Sequence, residues 1–264
     1  MTPAEIDELA TRIAAVRRAR AVNDFLGPAT SAISEADAYK VQFAVAVKLT
    51  ETGADRQAGW KVALATPDLY KPAGLSGPAF AGIYQSGIRN DGASFEKGWP
   101  IKAGIECEVV ARLARDCDAL PKPYDAASIS ERIGNLYCGM EVVDNRYADI
   151  SKLNGRGRVC DDVLQAACVI GTEIKDWRKV DFANIQGSSS YEGKQLAAGP
   201  GSAVMGGALV SLSWLANKLI EHGKKLRAGD IVLTGSVHVP QFLPGPGKAH
   251  TEFAGIGGCT VSFA

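Results

Sequence analysis

The chain changes its period once, at Gly53, and that change restricts its architecture more than any other feature. Before it, apolar residues recur at helical spacing. TPAEIDELATRIAAVRRA carries a capping box of Thr2 and Glu5 with Pro3 at the first helical position, and Ile6, Leu9, Ile13 and Val16 follow along one side. A second helix is predicted over SEADAYKVQFAVAVKLTETG, capped by Ser34, with Asp37 in its first turn and Gly53 as a left-handed stop. Beyond Gly53 the apolar runs shorten, approach a period of two and are cut by Gly and Pro, as in GWKVALATP, GPAFAGIY and AGIECEVVARL. This is the signature of strands. The expectation is an α+β fold, with a small N-terminal helical cap over residues 1–56 and a β-rich mixed-sheet body over 57–264, working as one unit.

Within the body, a short helix is predicted around ISERIGNLY and a strand over CGMEVVDNRY, whereas DDVLQAACVIG suits a short helix or a buried strand equally. VMGGALVSLSWLANKLIEHG is periodic enough for a helix, with Leu209, Leu212, Leu215, Ala216 and Leu219 on one side and Gly223 as its stop. The tail, AGDIVLTGSVH and then GIGGCTVSFA, reads as strand, glycine-rich loop, strand. The chain has no internal repeat.

Charge and composition remove whole classes of function. Lys plus Arg and Asp plus Glu each number 29, so no basic field exists to hold nucleic acid. No run reaches the roughly 18 apolar residues of a membrane helix, and MTPAEIDELATR lacks the order of a signal peptide, so a soluble cytoplasmic protein without a membrane partner is expected. The six cysteines, Cys107, Cys117, Cys138, Cys160, Cys168 and Cys259, form no C-x-x-C pair and read as buried reduced thiols. The three histidines, His222, His238 and His250, all lie late in the chain, which leaves little material for a Ser-His-Asp triad or a multi-histidine metal site.

Against that background the acids in AGIECEVVARL stand out. In a strand, Glu106 and Glu108 emerge on one side about 7 Å apart, while Ile105, Cys107 and Val109 face the other way. A solvated strand face would account for such a pair by itself. Glu141, inside a second apolar strand, supplies a third carboxylate. An oxygen-only set of this kind selects Mg²⁺, Mn²⁺ or Ca²⁺, and open positions for water or substrate favour Mg²⁺ or Mn²⁺. Lys61 sits between Trp60 and Val62 in a predicted strand. It is either an edge lysine with its tip in water or a partly buried ammonium that gives up its proton more readily and can serve proton transfer.

GWKVALATP, GIECEV, MEVVDNRYAD, GSAVMGGALVSLSWLANKL and AGDIVLTGS occur in the order seen in the fumarylacetoacetate hydrolase superfamily, and the chain resembles its 2-keto-4-pentenoate hydratase and 4-oxalocrotonate decarboxylase branch from about Ser34 to the C-terminus. The resemblance implies the superfamily's C-terminal type of body and a homo-oligomer, most often a dimer or a multiple of dimers. It implies that Glu106, Glu108 and Glu141 hold the divalent metal and that Lys61 takes part in catalysis. It also implies that the turn of Thr234, Gly235 and Ser236 meets the carboxylate of a 2-oxo acid, through the Ser236 hydroxyl and backbone N–H groups. His238 stands where a smaller residue is more usual, and is either a contact for a distal substrate group or a loop histidine without a catalytic role.

Three functions follow as expectations. The first is a lyase that hydrates an unsaturated 2-oxo acid of the 2-hydroxypentadienoate type in aromatic compound degradation. The second is a decarboxylase of a 2-oxo diacid, for which Lys71, Arg146 and Arg156 are candidate distal cations. The third is a binding protein on the same fold without catalysis. Ala79 stands about where family hydratases carry an acid that assists proton transfer, Gly206, Gly207 and Ala208 replace the usual G-N-P, and KVALATP replaces K-V-G-L-T-S. The superfamily's C–C hydrolases use a His-Glu pair on an N-terminal lid helix, and no histidine precedes His222, so that reaction is disfavoured.

Overall fold

The computed structural model describes residues 1–264. Its N-terminus forms helices α1 (Pro3–Ala19), α2 (Leu26–Thr30) and α3 (Glu35–Thr50). The Thr2 hydroxyl accepts the Glu5 N–H at 3.3 Å while the Glu5 carboxylate accepts the Thr2 N–H at 2.7 Å, so the capping box satisfies two orphan donors of α1. Ser34 accepts the Asp37 N–H at 3.0 Å, and Gly53 takes φ +72°, as the spacing predicts.

The rest runs through β1 (Gln57–Ala63), α4 (Pro67–Tyr70), β2 (Ala79–Tyr84), β3 (Ile88–Asn90), β4 (Ser94–Phe95), β5 (Ala103–Leu113), α5 (Ala126–Ser130), β6 (Ile133–Asp144), α6 (Gly155–Cys160) and β7 (Gln165–Glu173). It then continues through β8 (Gln186–Tyr191), β9 (Lys194–Pro200), α7 (Ala208–Glu221), β10 (Ile231–Ser236), β11 (Gln241–Phe242), β12 (Gly247–Phe253) and β13 (Gly257–Phe263). Eight strands form one mixed sheet in the order β2-β1-β10-β5-β6-β7-β3, with β11 beside β5, and five form a second sheet, β4-β13-β12-β8-β9. The architecture is α+β, with N-terminal helices and curled mixed sheets.

The curl positions the site. Although β2 and β7 lie far apart in strand order, Ile83 of β2 packs with Cys168 and Ile170 of β7, together with Val110, Ile231 and Leu233. The large sheet has therefore rolled until its ends meet around a narrow apolar interior. Its outer face is covered twice. Ile105, Met140, Val142, Ala167 and Val169 pack on Ala249, Cys259 and Val261 of the second sheet. Trp60, Val62 and Val109 belong to the main core, which also takes in Leu9 and Ile13 of α1, Val41 and Val45 of α3, and Leu212, Leu215 and Leu219 of α7. The N-terminal helices thus share one core with the strands.

The cysteines are all buried and unpaired, as read from their spacing. Other segments depart from expectation. The helix predicted around ISERIGNLY ends at Ser130, and Ile133–Tyr137 begins β6, because eleven residue pairs with β5 outweigh local helical preference. DDVLQAACVIG resolves into a left-handed turn followed by β7. GSSSYEGKQLAAG, unassigned by its periodicity, forms the β8–β9 hairpin around Glu192 and Gly193, both at positive φ. Residues 201–221 are long and apolar enough to cross a membrane by length and composition, contrary to the sequence reading, but in the fold α7 spends its apolar face on the core.

Candidate active site

Strand parity decides which side chains enter the rolled sheet. Glu106 lies opposite Glu141, which lies opposite Cys168, and Lys61 pairs with Leu233. Cross-strand partners point the same way, so Lys61, Glu106, Glu108 and Glu141 share the inner face with Val110 and Leu233. One oxygen from each glutamate lies within 4.8 Å of the others. Lys61, Glu108 and Glu141 are each 1% exposed, and Glu106 is half-buried.

Each group is tied down differently. Glu108 Oε2 accepts the Gly235 N–H at 2.7 Å. Gly235 stands at φ +106°, a backbone that suits glycine, and a Cβ there would lie 3.0 Å from Val204. The Lys61 ammonium donates to Glu141 Oε1 and, at 2.9 Å, to the carbonyl of Val163, so it is fully rather than partly buried and has a carboxylate partner.

Burial raises the pKa of all three acids. For Glu106, burial and then the neighbouring Glu141 push it up to about 8. Glu108 is raised well above the carboxylate range by burial and by both other glutamates. Glu141 is raised by burial, with Lys61 opposing. One ammonium against three converging carboxylates leaves surplus negative charge in a place poorly reached by water, a costly arrangement unless protons or a cation supply the balance. An all-oxygen donor set with this surplus fits a hard divalent cation.

The glycine-rich turn comes to the cluster only in part. Ser236 lies opposite Glu108 and is half-buried, its oxygen accepting the His238 N–H at 3.3 Å. The Thr234 hydroxyl donates to the Val109 carbonyl at 2.9 Å, and its own carbonyl accepts from Ser211, so this side chain ties β10 to β5. His238 bonds Ser189 of the second sheet through Nε2 at 2.7 Å and the Val239 carbonyl through Nδ1 at 2.9 Å. A carbonyl only accepts, so Nδ1 carries the proton and Nε2 takes the Ser189 hydroxyl. Both ring nitrogens are thereby committed. Ala79 pairs with Ala63 at zero exposure.

Among the candidate distal cations, Lys71 is exposed beyond α4 and Arg156 is half-buried in α6. Arg146 is buried, donating to Asp161 at 3.0 Å and to the Gln165 carbonyl at 2.6 Å. A separate cleft of about 510 Å³ opens beside α1, lined in part by Arg17, Arg20, Tyr84, Arg89, Trp99 and Arg146. None of Lys61, Glu106, Glu108 or Glu141 lines it, and Arg17, Arg20 and Arg146 are already paired with Asp162, Glu96 and Asp161.

One element of the site escaped the sequence reading. Asp162, Val163 and Leu164 take φ of +49°, +47° and +66° in succession, a conformation that costs a non-glycine residue roughly 1–2 kcal/mol. This turn presents the Val163 carbonyl to Lys61, and Asp162 anchors it by accepting from the Gly82 N–H at 3.2 Å, the Tyr84 hydroxyl at 2.9 Å and Arg17. Two signals were available. CDDV sets two acids among apolar residues, and Arg17 continues the buried line of Leu9 and Ile13.

No protein-family profile matches the chain. It is 26% identical over 260 residues to a 2-keto-4-pentenoate hydratase of Burkholderia vietnamiensis, covering 97% of this chain and 98% of that one. It is 27% identical over 262 residues to the Paraburkholderia phymatum protein of the same name, covering 98% and 97%. Among solved structures, 4-oxalocrotonate decarboxylase from Pseudomonas putida G7, complexed with magnesium and adipate, shares the fold at TM-score 0.90 and 20% identity, covering 100% of this chain and 99% of that one. Fumarylpyruvate hydrolase from Pseudomonas aeruginosa, in complex with Mn²⁺ and pyruvate, aligns at TM-score 0.57 and 14% identity over 79% of this chain and 89% of that one.

Proposed function

We propose, for a chain that belongs to the fumarylacetoacetate hydrolase superfamily, that the interior of the rolled sheet is the active site of a divalent-metal-dependent lyase hydrating an unsaturated 2-oxo acid of the 2-hydroxypentadienoate type. The observation that carries this reading is the convergence of Glu106, Glu108 and Glu141 on the inner face beside a fully buried Lys61. The three glutamates are the proposed ligands of Mg²⁺ or Mn²⁺. Such a cation would supply the positive charge that balances the carboxylates and polarises the keto oxygen of a 2-oxo acid.

The chain's own groups do the rest. Glu108, fixed by the Gly235 N–H, keeps one oxygen for the cation. Ser236, opposite Glu108, has a hydroxyl proton to offer the substrate carboxylate. Lys61 has three N–H bonds, two of them committed to Glu141 and the Val163 carbonyl, and one left for the reaction. Ketonisation of a 2-hydroxydienoate moves the 2-hydroxyl proton to C5, and hydration moves one proton of water to C3 as the water oxygen bonds to C4. Lys61 is the proposed relay in both, taking each proton from oxygen as an amine and giving it to carbon as an ammonium.

Decarboxylation of a 2-oxo diacid is the second reading, favoured by Ala79, which leaves the inner wall without the acid usual in family hydratases. Both readings belong to aromatic compound degradation, as the names of the relatives suggest. The test is to incubate purified protein with Mg²⁺ and a panel of 2-hydroxydienoates and 2-oxo diacids, following dienol absorbance and carbon dioxide release. Loss of dienol absorbance with formation of a 4-hydroxy-2-oxo acid and no gas identifies a hydratase, and gas release identifies a decarboxylase. Silence across the panel would overturn both in favour of a binding protein.

A further inference from the structure

The proposed proton-transfer group is held by a partner outside the carboxylate cluster, and that partner depends on the N-terminal helix. Of the two groups that accept from Lys61, Glu141 is also a proposed cation ligand, so its charge is shared. The Val163 carbonyl is neutral. It can hold the ammonium at 2.9 Å without adding negative charge to a cluster that already has a surplus. Yet Val163 is a β-branched residue in left-handed backbone between two others in the same conformation, an arrangement that surrounding structure must enforce.

Asp162 supplies that enforcement. Its carboxylate is wholly buried and is held from three sides, by the Gly82 N–H, the Tyr84 hydroxyl and the Arg17 guanidinium. Of these only Arg17 carries charge, and it reaches in from α1, where its side chain is 11% exposed. Asp161 next to it accepts from Arg146 and the Tyr147 hydroxyl and also lies 3.8 Å from the Arg17 guanidinium, so the turn is braced at both acids and Asp161 keeps a cation when Arg17 is replaced.

We propose that Arg17 is a positioning residue for Lys61: by neutralising and anchoring Asp162 it keeps the left-handed turn formed and the Val163 carbonyl in place against the ammonium. The part of this that concerns turnover rests on the catalytic reading of Lys61, whereas the part that concerns the placement of Lys61 does not. Losing Arg17 alone leaves a buried uncompensated carboxylate, which endangers the fold. The informative variants are therefore Arg17→Lys, which keeps the charge without the planar fork, and the double change Arg17→Met with Asp162→Asn, which removes both charges together.

Three readouts are taken on the full-length protein: labelling of Lys61 by a small amine-acylating reagent, read by peptide mass spectrometry; Mn²⁺ affinity by electron paramagnetic resonance; and turnover with Mg²⁺ on whichever compound of the panel reacts. In the double variant, Lys61 labelling is expected to rise severalfold over the parent while Mn²⁺ affinity holds, and kcat to fall about 100-fold with little change in KM. Arg17→Lys should fall between. Unchanged Lys61 labelling in folded Arg17→Lys and double variants would overturn the proposal, as would a loss of turnover explained by lost Mn²⁺ affinity. Full turnover by Lys61→Ala would instead refute the catalytic reading and leave the labelling result to decide the role of Arg17.

Discussion

At the scale of residues, the site is a problem in charge balance, and its predictions follow from the sign of that balance. Glu106→Ala removes one of three convergent oxygens from a half-buried position, so the variant should stay folded and lose Mn²⁺ binding in a titration; an unchanged affinity would refute the site. Lys61→Ala should keep its Mn²⁺ affinity but lose turnover by about 10²–10⁴, the usual range for a proton-transfer group; kinetics equal to those of the parent would remove Lys61 from the chemistry. The pKa of Glu106, raised from the ordinary 4.5 to about 8, gives a pH dependence. A raised carboxylate binds a proton in the folded chain between those values when the unfolded chain does not. Its contribution to stability is full below about 4.5 and is lost as pH rises through about 8. A cation needs the ionised form, so the gain in Tm on adding Mg²⁺ or Mn²⁺ should grow from pH 6 to pH 8.5. Paired melts with and without metal test this, and a gain independent of pH would contradict it.

At the scale of elements, the site depends on how closely strands approach. Lys61 enters the interior because β1 lies parallel to β10, and Gly59 permits that approach: a Cβ there would sit 1.8 Å from the Ile231 carbonyl oxygen. Gly59→Ala should therefore cost about 3 kcal/mol or more, measured as a fall in denaturation midpoint, although the residue touches none of the glutamates. A midpoint within error of the parent would mean that β1 and β10 can separate without loss. Much at this scale was legible in advance. Thr2, Glu5, Ser34 and Gly53 mark helix ends through local chemistry, and the alternation in AGIECEVVARL marks both a strand and the face its acids share. The ISERIGNLY segment was not legible, since Ile133 to Tyr137 is strand only because β5 lies beside it. The bond from the Thr234 hydroxyl to the Val109 carbonyl was hidden for the same reason, since it joins strands distant in the chain.

At the scale of the whole molecule, β9 ends the second sheet with one edge unpaired, and it displays Leu196 at 37% exposure. Edges of this kind are usually covered, and the expected homo-oligomer would do so; light scattering should return a dimer or a multiple of dimers, and a monomer at working concentration would exclude it. What the sequence by itself determined was a set of candidate groups and the face they share: three carboxylates in two apolar strands, a lysine in a third, and few histidines to offer nitrogen. The shared face is kept in the fold because strand parity is a local property. Tertiary structure alone decided that Lys61 is wholly buried with Glu141 as its partner, that His238 is committed to Ser189 and Val239, that Arg146 is engaged by Asp161, and that Arg17 reaches from the first helix to a turn beside the lysine. Each of these joins residues distant in the chain. Such pairings arise only when the sheet rolls up and the core closes over it, and no local pattern encodes that closure.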